Sequence, residues 1–245
     1  MFVALKAPLA MLAAVWSIAT FPVFLSAEPA KEIGARVILG DRFKLKVLND
    51  VLAMANDHAA TLIFQRSHMA RDEALIRLRL SEDALERMGP AEANLQIAKA
   101  IEKIRFSLAS NPTDPFLWLM LYSTEGKEAG LTKNSFKYLE WSYDIGPREG
   151  WISLRRNQIA LANFQSVSAA TQRKVLAEFR SLLNDGFVEQ AAVSLETAGW
   201  PEREKLVAVL DRVDLRHREA LAKRLLTDGI EVNVPGVRLD DRLWR

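Results

Sequence analysis

The sequence predicts an all-α fold: antiparallel helix pairs stacked as an α–α superhelix, preceded by one apolar N-terminal helix. Three observations predict it. After residue 28, apolar residues recur at helical spacing, and only "IEVNV" near the end alternates with period two. Gly and Pro punctuate the chain at Gly40, Gly89-Pro90, Pro112, Pro115, Gly130, Gly146-Pro147, Gly186, Gly199-Trp200-Pro201, Gly229 and Pro235-Gly236, leaving segments of ordinary helix length. The connections are too short for crossovers, so consecutive helices must be spatial neighbours.

The first element runs from Ala7 to Ala27, "APLAMLAAVWSIATFPVFLSA", 21 residues without a charge. Such a helix spans roughly a 30 Å hydrocarbon layer. Lys6 precedes it and Glu28, Lys31 and Glu32 follow. The Lys6 flank should stay in the cytoplasm. Residues 28–245 are then expected across the membrane, in a bacterium the periplasm, held by a single-pass inner-membrane anchor. The competing reading is a cleaved signal peptide with its apolar core at Leu9 to Phe21. Pro22 would break the helix before a cut after Ala27, although Leu25 is large for the −3 position.

Beyond the anchor, helices are expected near 31–39, 42–56, 57–88, 91–110, 114–129, 132–145, 148–164, 169–185, 187–198, 201–212 and 215–228. The stretch 57–88 is long and is expected to break near Ser67 or Ser81. Asp114-Pro115 offers an N-cap followed by proline at the first helical position, and Pro90, Pro147 and Pro201 repeat the device. Asp214 precedes "LRHREALAKRLL", which closes at Gly229. Pairs at i, i+4 are expected on exposed faces: Glu73 with Arg77, Asp83 with Arg87, Glu219 with Lys223. "FLWLML" is apolar all round, which places its helix between neighbours. This divides the chain into the segment 1–27, a helical segment 28–90, a repeat domain 91–229 and an extended tail 230–245. The tail ends in Leu243-Trp244; it either docks on its own domain as a cap or is offered to a partner as a strand.

Two stretches 35 residues apart, "NPTDPFLWLML" from Asn111 and "GPREGWISLRR" from Gly146, repeat each other. Pro112 aligns with Pro147, Asp114 with Glu149, Phe116 with Trp151, Leu117 with Ile152 and Leu119 with Leu154. Trp118 and Leu121 lie on the first helix of the unit; Ser135, Leu139 and Ser142 supply small, large and small positions on the second, and Pro147 closes it. This resembles a tetratricopeptide repeat, with one extra residue at Gly130-Leu131. Small residues on the second helix let the first approach closely, and large ones fill the groove between units. The unit at 150–182 keeps Ala170 and Ala177 but has Ser153 and Arg156 for the Trp and Leu, and "GFVEQAAV" offers a third start at Phe187. The order of parts, with "ILGDRFK", "NPTDPFLWL" and "GPREGW" after an anchor, is similar to that of membrane-anchored, tetratricopeptide-like proteins accompanying bacterial surface-polysaccharide clusters. That resemblance implies a cellular setting and carries no catalytic residue over. In the tetratricopeptide register the first helices line a concave groove, with Ser123 and Lys127 facing it from one unit and Trp151 and Gln158 from the next. Arg155-Arg156, with Arg148 nearby, is the densest positive charge beside aromatics; it reads either as a contact for an anionic peptide or sugar acid, or as solvated helix surface.

Chemistry is otherwise sparse. Without cysteines there is no disulfide, thiolate nucleophile or cysteine-ligated metal. The net charge of +2 is interspersed with no basic face, which argues against a nucleic-acid partner. No phosphate-binding loop, zinc-protease, nucleophile-elbow or calcium-loop motif occurs. His58 and His68 lie nearly three turns apart on a helix and cannot share a metal, and His217 stands alone. The neighbouring carboxylates Asp72-Glu73 and Glu82-Asp83 diverge on their helix and read as solvated faces; Asp240-Asp241 lies in the tail. No cofactor or metal is expected. The sequence thus predicts a non-enzymatic, membrane-anchored periplasmic scaffold that binds other envelope proteins or peptides, with surface-polysaccharide biosynthesis or export as its setting. The alternatives are a polysaccharide-modifying enzyme on a helical scaffold and a structural subunit of a larger membrane complex.

Overall fold

A computed structural model describes residues 3–58, 63–147 and 149–238. Among the described residues every regular element is helical: α1 (Val3–Ile38), α2 (Leu45–His58), α3 (Ile63–Arg87), α4 (Pro90–Ser110), α5 (Pro115–Ala129), α6 (Lys133–Ile145), α7 (Gly150–Leu161), α8 (Ala169–Asn184), α9 (Val188–Glu196), α10 (Arg203–Ala208) and α11 (Leu215–Thr227). Short 3₁₀ turns lie at Phe164–Ser166, Trp200–Glu202 and Val209–Arg212. The chain forms two compact units. One comprises Met1–Thr113 and Ser123–Gly130, the other Asp114–Tyr122 and Leu131–Arg245, so α5 gives its first half to the second unit and its last half to the first.

In the first unit, α3 and α4 pack along each other, and both bury apolar residues, Ala70, Ala74 and Ile76 on α3 and Ala93, Ile97, Ala100 and Ile104 on α4. The end of α1 docks on α3 through Ala30, Ile33 and Val37. Gly34 faces Asp72 there, and a Cβ on it would stand 2.7 Å from Asp72 Oδ1, so that carboxylate would have to move. Burial is the main reason the Asp72 carboxyl titrates above its ordinary range, against the opposing pull of Arg71 and Lys31.

Several expectations for this unit change. The helix predicted at 31–39 is the end of α1, which is continuous through Pro22 and Pro29. Pro22 therefore does not break it; the cost of about 3 kcal/mol for an interior proline is borne within an Ala- and Leu-rich helix. Most side chains between Ala7 and Ala27 lie outside the described residues, and among the described residues no helix is long and apolar enough to cross a membrane. Helix α3 passes Ser67 and Ser81 unbroken, the Ser81 hydroxyl donating to the Leu78 carbonyl at 2.7 Å. Asp83 is buried rather than solvated and pairs with Arg79 at 2.7 Å instead of Arg87; Arg79 also reaches Glu82 at 3.0 Å. Glu73 meets Arg77 at 3.9 Å and, more closely, Lys103 of α4 at 3.1 Å.

In the second unit the two similar stretches can be compared helix by helix. Asp114 Oδ1 accepts the Phe116 and Leu117 amides at 3.0 Å each, capping α5 as expected. Residues 116, 117 and 119–122 are buried, which fits a helix apolar all round. Thr132 caps α6 in a reciprocal box with Ser135, and Ser168 caps α8 by accepting the Thr171 amide. Helices α5 and α7 start 35 residues apart, but the caps of α6 and α8 are 36 apart. The buried positions follow the caps: Ser135 with Thr171, Leu139 with Val175, Ser142 with Glu178, Tyr143 with Phe179. Ala170 and Ala177, expected at the small positions, are exposed and half-buried instead. The shift follows from the longer turn at 162–167, which holds a 3₁₀ turn where the first pair has Gly130-Leu131.

The helix predicted at 201–212 is three short pieces, and α7 ends at Leu161. Asp214 precedes α11, but its carbonyl rather than its side chain receives the His217 and Arg218 amides, at 3.0 and 3.1 Å. Gly229, at φ +77°, closes α11, with the Ile230 amide reaching back to the Leu225 carbonyl at 2.9 Å.

Candidate functional site

Helix α7 has two faces with different duties. Ile152, Ser153, Arg156, Asn157, Ala160 and Leu161 point inward and are buried. Trp151, Leu154, Arg155 and Gln158, at spacings of i, i+3, i+4 and i+7, form the outward stripe. Trp151 is 43% exposed, yet its ring rests on Phe116 with centroids 5.1 Å apart, which fixes its orientation. Beside this stripe a shallow cleft of about 220 Å³ is lined by Leu154 and Gln158 of α7 and by Glu189, Gln190, Val193 and Ser194 of α9. Val193 is 40% exposed, and Glu189 is tied to Arg224 of α11 at 2.6 Å.

Three of the predicted groove residues, Trp151, Arg155 and Gln158, thus share one face. Ser123 and Lys127 belong to the half of α5 that lies in the first unit. Ser123 is half-buried with an unpartnered Oγ, and Lys127 is exposed.

Arg156 does not belong with Arg155. It is fully buried, so it is neither the expected anion contact nor solvated surface. Its Nε and Nη2 donate to Glu178 Oε1 at 3.1 and 2.5 Å, and its Nη1 donates to the Ser142 carbonyl at 2.6 Å and to Ser142 Oγ at 3.2 Å. Nη2 also reaches the Gly146 carbonyl at 2.9 Å. The guanidinium lies 4.2 Å from the Tyr143 ring centre, and the Tyr143 hydroxyl donates to Glu178 Oε2 at 2.8 Å. Arg156 therefore closes the C-terminus of α6, where carbonyls lack helical partners and the dipole favours a cation. Burial, reinforced by the Glu178 charge, holds the Tyr143 phenol well above its ordinary range, so it remains a neutral donor. Ser142 donates its hydroxyl to the Pro115 carbonyl at 2.7 Å, and Gly146 touches Pro115, where a Cβ would fall 2.5 Å from Cγ.

Clefts of about 240 and 360 Å³ flank Glu178. Ser153, Asn184 and Asp185 line one; Asp144, Lys174 and Arg180 line the other. Each Glu178 oxygen already accepts a bond from Arg156 or Tyr143, so this carboxylate serves as a tie rather than a base. Sequence reasoning missed Glu178 and Tyr143. The available signal was Arg156 itself, which stands four residues after Ile152 and four before Ala160, on the apolar side of α7.

Aromatic packing follows the expectation: Trp118 meets Tyr138 and Trp141 at 5.7 and 4.6 Å, and Tyr122 meets Phe136 at 5.8 Å. His217 lies on α11; the side chains of His58 and His68, together with Arg148 and Asp240-Asp241, lie outside the described residues. Among the described residues no group of His, Asp and Glu could hold a metal ion. The chain matches no protein-family profile, no curated protein and no solved structure.

Proposed function

We propose that this chain is a membrane-tethered scaffold that binds other envelope proteins through the α7–α9 groove. The observation that supports it best is the outward stripe of α7. A partly exposed tryptophan held by ring packing, an arginine and two amides (Gln158 and Gln190) border an apolar strip of Leu154 and Val193. Rigid aromatic and arginine anchors suit a protein partner, and amide side chains suit the polar backbone of an extended peptide. Stacked helix pairs of tetratricopeptide type use their first helices in this way, and the small-large-small burial of Ser135, Leu139 and Ser142 on α6 supports such stacking.

The tether is α1. Its Met11, Leu12, Val15 and Trp16 side chains are 66–74% exposed, an apolar stripe better suited to lipid than to water. Confinement at the membrane would raise the effective concentration of a partner without further contacts. The setting suggested by the order of parts is synthesis or export of surface polysaccharide, in a supporting and non-catalytic role.

A photo-crosslinking residue placed at Gln158 or Trp151 of the full-length protein in its own membranes should give one discrete protein adduct, and the same probe at Arg173 of α8 should give none. Equal labelling from all three positions would count against a groove. Alkaline phosphatase fused to the C-terminus should be active; an inactive fusion would remove the periplasmic assignment.

A further inference from the structure

A second groove, separate from the α7–α9 cleft, has a volume of about 520 Å³. One wall carries Trp200, Glu204 and Val207; the other is Glu231, Val232 and Asn233 of the extended stretch after α11. Exposure alternates along that stretch: Glu231 and Asn233 are exposed, Val232 is half-buried and Val234 is buried. This is the period of a strand with one face turned to its own unit. Its far end is held, since Arg218 donates to the Pro235 carbonyl at 2.5 Å and the Val237 amide donates to the Val234 carbonyl at 3.2 Å. The backbone of Glu231–Asn233 makes no hydrogen bond to another described backbone group. A held, extended edge with open amides and carbonyls is a template for an added strand.

The charges decide which strand fits. Arg203 is engaged by its neighbour: its guanidinium lies 5.0 Å over the Trp200 ring and donates to the Trp200 carbonyl at 3.2 Å. Glu204 and Glu231 form no ion pair with a described residue, so the groove carries an excess of negative charge. The α7–α9 cleft differs, because its Glu189 is tied to Arg224. On an added strand, the residue opposite Val232 shares the face of Val232, and its two neighbours share the face of Glu231 and Asn233. An apolar residue suits the first position. Basic residues suit the other two, where one meets the Glu231 carboxylate and one donates to the Asn233 side-chain carbonyl.

We propose that this groove binds a protein partner through an extended basic–apolar–basic segment, which adds as a strand along Glu231–Asn233. The apolar side chain covers Val232 and Val207, and Glu204 on the opposite wall supplies a second carboxylate for the cations. This site is independent of the α7–α9 groove.

Full-length protein in neutral detergent is titrated into fluorescein-Val-Lys-Val-Lys-Val-amide, with binding read by anisotropy. That peptide should bind at least about tenfold more tightly than its counterpart with glutamate in place of lysine. Glu204→Lys combined with Glu231→Lys, at two exposed positions, should reverse the preference without unfolding the protein. Of two peptides N-methylated on either the valine or the lysine amides, at least one should bind about tenfold more weakly, because strand addition uses alternate amides. Trp151→Ala with Gln158→Ala should leave binding within about twofold, the sites being separate. Absence of binding, equal affinity for the lysine and glutamate peptides, or full binding by both N-methylated peptides overturns the proposal. So does a stable dimer that excludes the peptide, which gives the groove to a second copy. Binding that emerges only in a chain ending at Arg238 also overturns it, and gives the groove to the chain's own last residues.

Discussion

Two buried arginine–carboxylate pairs differ in what they join. Arg79 and Asp83 sit one turn apart on α3, at 2.7 Å, and meet whenever that helix forms. Arg156 and Glu178 are 22 residues apart on α7 and α8, and Arg156 also reaches the carbonyl end of α6. The first pair supports one helix. The second exists only when three helices have assembled, so it selects one packing of the second unit. Buried pairs are weak evidence of net stability, since desolvation offsets much of their attraction. Their removal is costly all the same, because the partner left behind keeps a charge with no water.

The largest effect is therefore expected from Arg156→Ala. It leaves the buried Glu178 carboxylate without its cation and takes a donor from the Ser142 and Gly146 carbonyls, and should destabilise the second unit by about 3–5 kcal/mol in urea unfolding. Joint replacement, Arg156→Met with Glu178→Met, should recover part of that loss, which a double-mutant cycle would register as coupling. Arg79→Ala should cost about 3 kcal/mol, the low end of the range for a broken buried pair, the loss falling on the first unit, because Asp83 loses its cation but no inter-helix tie is cut. A cost equal to that of Arg156→Ala would erase the distinction between local and assembling pairs. Gly146→Ala comes next. Its methyl group would press on Pro115, and overpacking of this kind costs about 1–3 kcal/mol.

The smallest effects are pH-dependent and opposite in sign. Hydrogen bonds from Lys205 and Gln165 hold the Glu202 carboxyl below its ordinary range. Its contribution is present above the unfolded value and is lost as pH falls through the folded one. Asp72, raised by burial, behaves the other way: stability falls as pH rises from its ordinary value through the raised one. Unfolding measured between pH 3 and pH 7 should lose the first slope in Glu202→Gln and the second in Asp72→Asn. Asp72→Asn should be the more stable protein at neutral pH.

The same contrast explains what could be read from the sequence. Helix starts were legible wherever the device is local, as at Asp114-Pro115 and Gly229. Small and large positions on α6 were legible because Ser135, Leu139 and Ser142 recur at helical spacing on one face. The register of α8 was not, since a helix three residues shorter followed by a turn four residues longer, at 162–167, moves every buried position by one. Glu178 was not legible either: nothing within a turn or two of it announces a partner 22 residues away. On α7, Trp151, Arg155 and Gln158 are exposed on one face, while Arg156, adjacent to Arg155 in sequence, is buried on the other, because successive helical residues differ by about 100°. The two faces of that helix, one structural and one open, are the distinction on which the functional proposal rests.

That distinction is open to one direct measurement. Trp151→Ala combined with Gln158→Ala, in the full-length protein recovered from its own membranes, should lose the protein that co-purifies with the parent chain while its unfolding in urea stays cooperative and its free energy of unfolding falls by only about 0.5–1.5 kcal/mol, the worth of the Phe116 ring contact. Retention of that partner by the double variant, or loss of it only together with unfolding, would contradict the assignment of the α7–α9 groove.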